Sequence, residues 1–163
     1  MIQRVQSLLL AGVVICMAAT FALPLWEKYA PEGDEKVVLN VWHADRMHTD
    51  GIAVDPVQSG RRAHPWLALL CASSVIVAAY SIFRYDNRML QIKLGLLNAF
   101  LIMAALASAA FAIFSTEEAL QWTSKGMFRL GYFLPVAALI LNSLANRFIK
   151  KDEDLVRSVD RIR

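Results

Sequence analysis

His43, Asp45 and His48 stand within six residues of one another, and His64 follows in the same polar stretch. Imidazole and carboxylate are ligand types of zinc and copper sites. The spacing works against that use. Five positions apart, the two histidines diverge by about 140° around a helix and stand on opposite faces of a strand. We expect solvated loop histidines, with no metal and no other cofactor. Glu117 and Glu118 form an adjacent carboxylate pair, but neighbours on a helix point about 100° apart, so the two would not act on one group. Ser115 and Thr116 read as hydroxyl caps on a short helix, with the acids at its positive end.

Asn98 and Asn142 are the strongest polar groups within apolar runs, and Asn146 stands at the edge of one. An amide in hydrocarbon needs a partner, most simply on another helix. A polar path for a solute is the competing use. No Asp, Glu or His lies in those runs, which argues against the proton relay of a coupled pump. Cys16 and Cys71 are the chain's two thiols. Both fall in apolar runs without a CxxC, and they read as small buried hydrophobes. No motif assigns a catalytic residue, and we expect no enzyme.

The elements that must position these groups are four apolar stretches, at about 7–26, 65–83, 90–114 and 130–149. A helix needs about 20 residues to cross a hydrocarbon core of about 30 Å. The 163 residues are 57% hydrophobic, and the excess lies in these stretches. The chain therefore reads as one membrane domain over 1–163: an all-α, antiparallel bundle of four transmembrane helices. Connections of about 38, 6 and 15 residues force neighbours to alternate in direction. The first span runs too long for the core of a cleaved signal peptide. Pro135 should kink the fourth.

Lysine and arginine mark the sides. Arg4 precedes the first span; Arg84, Arg88 and Lys93 flank the second connection; Arg147, Lys150, Lys151, Arg157, Arg161 and Arg163 follow the fourth. Bases beside spans favour the cytoplasm, so both termini should be cytoplasmic and the 27–64 loop exterior. Trp26, Trp66 and Trp122 then share the outer interface as a partial aromatic belt. Spread along span edges, the bases read as topology signals rather than as a nucleic-acid patch. Within the exterior loop, 36–43 alternates as a strand, Asp50-Gly51 marks a turn, and 52–54 can pair back, giving a small β-hairpin over the bundle. Residues 59–62 read as a flexible return. Small residues four apart, such as Ala105/Ala109 and Ser74/Ala78, allow close helix packing.

The tail at 150–163 carries Leu155, Val156, Val159 and Ile162 on one helical face among i, i+3 and i, i+4 charge pairs. Such a face can lie on a membrane or dock on a partner.

The opening MIQRVQ, the FALPLW at residues 21–26 and the ending LANRFIKKDEDLVRSVDRIR resemble a family of four-span bacterial membrane proteins from Bacteroidota, domain of unknown function 4293. The tail is the specific part, and the chain departs from the family pattern mildly at Val159 and Ile162. The resemblance covers essentially the whole chain. It implies four helices in the inner membrane and transfers no catalytic residues. A looser likeness to claudin-type proteins is architectural only. The expectation is a non-enzymatic inner-membrane protein, an accessory or assembly subunit contacting lipid and other membrane subunits; the alternative is a small channel or transporter.

Overall fold

The computed structural model describes residues 2–48, 50, 62–84 and 87–160. Four helices are present: α1 (Ile2–Ala19), α2 (Pro65–Phe83), α3 (Arg88–Leu120) and α4 (Leu130–Asp160). Each packs on its neighbours in chain order, and α1 closes the ring on α4. Five short strands are β1 (Trp26–Tyr29), β2 (Glu35–Leu39), β3 (His43–His48), β4 (Arg62–Ala63) and β5 (Met127–Phe128). They form one antiparallel sheet in the order β4-β3-β2-β1-β5. The sheet lies where α1 and α3 end and α2 and α4 begin, so the helices alternate in direction.

By length and composition, α2, α3 and the Leu130–Leu155 part of α4 can cross a membrane, whereas α1 offers a shorter apolar stretch, Val5–Ala19. The bundle is apolar on its outside and small-sided within. Phe100 is 69% exposed and Phe111 68%, while Ala105, Ala109 and Ala112 are buried. Small residues at the interface let backbones approach where lipid removes the usual hydrophobic drive. Asn87 starts α3 by accepting a hydrogen bond from the Leu90 amide at 3.0 Å, a side-chain N-cap. Pro135 lies within α4, which is helical on both sides of it.

Two expectations about the sheet end are corrected. The first apolar run does not continue as helix to Trp26. The Thr20 hydroxyl bonds back to the Cys16 carbonyl at 2.9 Å, and the Phe21 and Ala22 amides close tight turns onto Ala18 and Ala19. Pro24 then disfavours helix at Leu23. The chain enters β1, and Trp26, expected at a membrane interface, is 1% exposed. Its indole occupies the space that a side chain at Gly126 would fill. Leu25, Trp26, Leu39 and Val41 join Val13, Met17, Leu67 and Ala112 in one buried cluster, so the sheet shares the bundle's core.

The expected single hairpin is a larger, differently paired sheet. Asn40–Trp42 break the alternating run, and the Asn40 amide bonds the His43 carbonyl at 2.9 Å to turn the chain into β3. β1 pairs with β2 across a turn at Pro31, with Gly33 at φ +81°. Pro at the second turn position and glycine at positive φ suit a tight hairpin. The expected strand at 52–54, the turn glycine Gly51 and residues 59–61 of the flexible return lie outside the described residues.

Candidate functional site

Asn98 and Asn142, singled out from sequence, meet in the centre of the bundle. Each is 1% exposed. The Ser74 hydroxyl on α2 donates to Asn98 Oδ1 at 2.8 Å, Asn98 Nδ2 donates to Asn142 Oδ1 at 3.3 Å, and Asn142 Nδ2 donates to the Gly95 carbonyl at 2.8 Å. One thread of neutral hydrogen bonds thus joins α2, α3 and α4. An amide left without a partner in so apolar a setting would cost several kcal/mol.

A second polar layer lies toward the other end. Gln91 Nε2 donates to the Ser81 carbonyl at 3.0 Å. Ser74 and Ser81, like Gln91 and Asn98, stand seven residues apart, so each pair repeats on one helix face about 10 Å apart. The Asn146 amide sits against Gly95, in space that a Cβ would need. Gly12 packs on Leu141. Counting six residues from each in opposite directions brings Gln6 level with Arg147, beside Asn146. Gln6 and Ser81 are more than nine-tenths buried. Every side chain named in these two layers is neutral, and their hydrogen bonds run between helices. Sequence reading missed Gln6, which just precedes the first apolar run, and Ser81 and Gln91, which stand near the ends of the second and third; for the last two the seven-residue recurrence was the available signal.

Charges gather at the sheet end. Lys28 on β1 is 2% exposed, and its Nζ lies 3.1 Å from Glu117 Oε1 near the end of α3. Arg129 Nε donates to Glu27 Oε2 at 2.7 Å. That hydrogen bond, helped by the charge of Glu27, pushes the guanidinium further above its ordinary value. The two pairs fasten β1 to both helices that reach it. The expectation for Glu117 is therefore corrected. α3 runs unbroken to Leu120, and Thr116 donates back to the Ala112 carbonyl at 2.7 Å instead of capping a new helix.

On the sheet, His43 pairs with Asp45, two positions along the same strand face. His48 lies on the other face with Arg46 and lines a cleft with Ala30, Pro31, Glu32, Asp34, Glu35 and Trp122. Among the described residues no three His, Cys, Asp or Glu side chains converge as metal ligands. Cys16 and Cys71 are free thiols, and Cys71 is buried.

At the opposite end α4 continues past its apolar part to Asp160, leaving Leu155 48% exposed. Arg88, the first residue of α3, holds the base of this extension. Its Nη1 donates to the Asp152 carbonyl at 3.3 Å, and its Nη2 lies 3.2 Å from Asp152 Oδ2 as an ion pair without an aligned N–H. The side chains of Val156 and Val159, and the whole of Ile162, lie outside the described residues.

A family model described as a domain of unknown function (DUF4293) matches residues 2–162. No curated protein matches the chain.

Proposed function

The chain belongs to the DUF4293 family, and on that premise we propose that it is a non-enzymatic integral protein of a bacterial inner membrane, serving as an accessory or assembly subunit of a larger membrane complex. Both termini face the cytoplasm, and the sheet faces outward. The observation that carries the reading is α4. Its 31 residues form one helix, about 46 Å long at 1.5 Å per residue, which exceeds a hydrocarbon core of about 30 Å. The surplus projects at the tail end, fixed at its base by Arg88 and Asp152, and bears Leu155 outward. A helix held at a set angle with an apolar face is suited to laying that face in a partner's groove. The lysines and arginines concentrated at this end support the cytoplasmic assignment. Inside the bundle each thread amide is engaged by a neighbouring helix, which favours a packing role over a solute path.

The test is truncation after Leu155, which keeps Asp152 and its pair with Arg88. The shortened protein should insert and unfold like the intact one, yet lose its cross-linked complexes with other membrane subunits. Val159→Asp should do the same, because an unpaired charge in a buried apolar face costs several kcal/mol. Complexes that survive both changes would refute the docking role of the tail.

A further inference from the structure

The cleft at the sheet end is not used by anything proposed above. It has a volume of about 460 Å³, within the range of about 300–1,000 Å³ typical of small-molecule sites. Its walls are tied together by hydrogen bonds. The Gly33 amide bonds to Ala30 at 3.0 Å and the Ala30 amide to Glu35 at 2.8 Å, closing the tip of the β1–β2 hairpin. Ser124 donates its hydroxyl to the Tyr29 carbonyl, tying the segment that carries Trp122 to the same hairpin.

The charges along its lining define what fits. Arg46 is already engaged: its Nε lies 3.1 Å from Glu35 Oε2, and its guanidinium stacks 5.1 Å from the centre of the Trp122 ring. An anion would have to compete with both. Glu32 and Asp34, exposed at the cleft's rim on either side of Gly33, have no cation against them among the described residues. The cleft's carboxylates and guanidinium number three against one, a net charge of −2. A cavity of one sign concentrates ligands of the other. The carboxylates do not converge with a third ligand group as a metal ion requires. Ala30, Pro31 and the edge of Trp122 supply apolar surface beside them. We infer that this cleft binds an alkylammonium group, with Glu32 and Asp34 receiving the ammonium and Ala30, Pro31 and Trp122 covering the attached methylenes. The group could come from a free di- or polyamine or from a lysine-bearing peptide segment.

The test uses the full chain in detergent micelles, by equilibrium dialysis with spermidine and, separately, with a trilysine peptide. Salt is held near 0.15 M, where screening over about 8 Å suppresses diffuse attraction. Saturable one-to-one binding of at least one probe is expected. Glu32→Gln with Asp34→Asn should weaken it at least about tenfold, as loss of charge-assisted hydrogen bonds does. Glu118→Gln with Asp154→Asn changes the net charge equally but lies off the cleft, and should leave affinity within about twofold. The more tightly held probe identifies the source. Absence of saturable binding of both probes, or equal losses in the two double variants, overturns the assignment. The assay does not depend on the tail, so its failure is separable from failure of the docking role.

Discussion

Replacing Asn98 by alanine tests whether the central thread holds the bundle together. The change deletes two hydrogen bonds, from Ser74 at 2.8 Å and to Asn142 at 3.3 Å. Bonds between membrane helices are worth about 0.6 kcal/mol on average and up to about 1.7 kcal/mol. The truncation also strands the Asn142 carbonyl oxygen at a 1% exposed residue, and an unsatisfied buried acceptor costs about 1–3 kcal/mol. Together these give about 2–4 kcal/mol, or about 30- to 1,000-fold in the unfolding equilibrium. Reversible unfolding in mixed micelles, followed by steric trapping, measures this directly. The sharper comparison is Asn98→Leu alone against Asn98→Leu with Asn142→Leu. The single change leaves Asn142 Oδ1 without its donor, whereas the double change removes both amides, which can be nearly neutral. Ser74 can then bond back to a carbonyl in its own helix. The double variant should therefore be the more stable of the two. If the leucine changes destabilise additively, or if Asn98→Ala moves stability by less than about 0.5 kcal/mol, the thread is not what orders these helices.

Gly95→Ala should destabilise the bundle by about 1–3 kcal/mol as overpacking, because the new methyl collides with the Asn146 amide; adding Asn146→Ala should restore most of the loss in the same assay. At the sheet end Lys28 is 2% exposed but Glu117 is 42% exposed, so the two halves of their ion pair are not equivalent. Glu117→Gln leaves a buried cation unpaired and should cost more than Lys28→Met, which releases a solvated carboxylate; the reverse order in thermal unfolding would contradict the burial of Lys28. For topology, with Cys16 and Cys71 replaced by alanine, a cysteine at position 50 should react with an impermeant maleimide on intact cells and one at position 155 only after permeabilisation. The opposite pattern inverts the proposed orientation.

The helices were legible because their signal is local. Runs such as 65–83 carry no charged residue, and α2 begins and ends there as expected. Asn98 and Asn142 were legible as a candidate pair because an amide within an apolar run has few other uses. Register was not legible. The pairing of Ser74, Asn98 and Asn142 depends on how far each helix slides against the next, which no single segment encodes. Trp26 misled for a related reason. Composition extends the first apolar run to residue 26, but the Thr20–Ala22 turns and Pro24 end the helix, and the tryptophan fills space left by Gly126. The sheet was underestimated because β1 and β5, at Trp26–Tyr29 and Met127–Phe128, are too short to show a period of two and become strands by pairing, β1 with β2 and β5 with β1.

The distribution of polar groups explains why such a bundle needs its sheet. In lipid, the apolar outer faces gain nothing from facing one another, so hydrophobicity cannot choose which helix faces contact. The alanines that line α3 are alike, and their spacing does not by itself favour one register. The neutral layers do discriminate, because sliding α3 by one turn would separate Asn98 from both Ser74 and Asn142 and leave buried amides unpaired. The ends supply a second constraint of a different kind. Glu27 and Lys28 are consecutive residues on one strand, and they reach Arg129 and Glu117 respectively. A shift of α3 or α4 along its axis would break one of these pairs, and loss of Glu117 would strand a lysine that is almost wholly buried. The sheet is thus a clamp that measures the relative height of α3 and α4, while Arg88 and Asp152 join the same two helices at the opposite end. Fastened at both ends and keyed in the middle, α3 and α4 are held in one register, and the same fastening sets the direction in which α4 continues past Asp152.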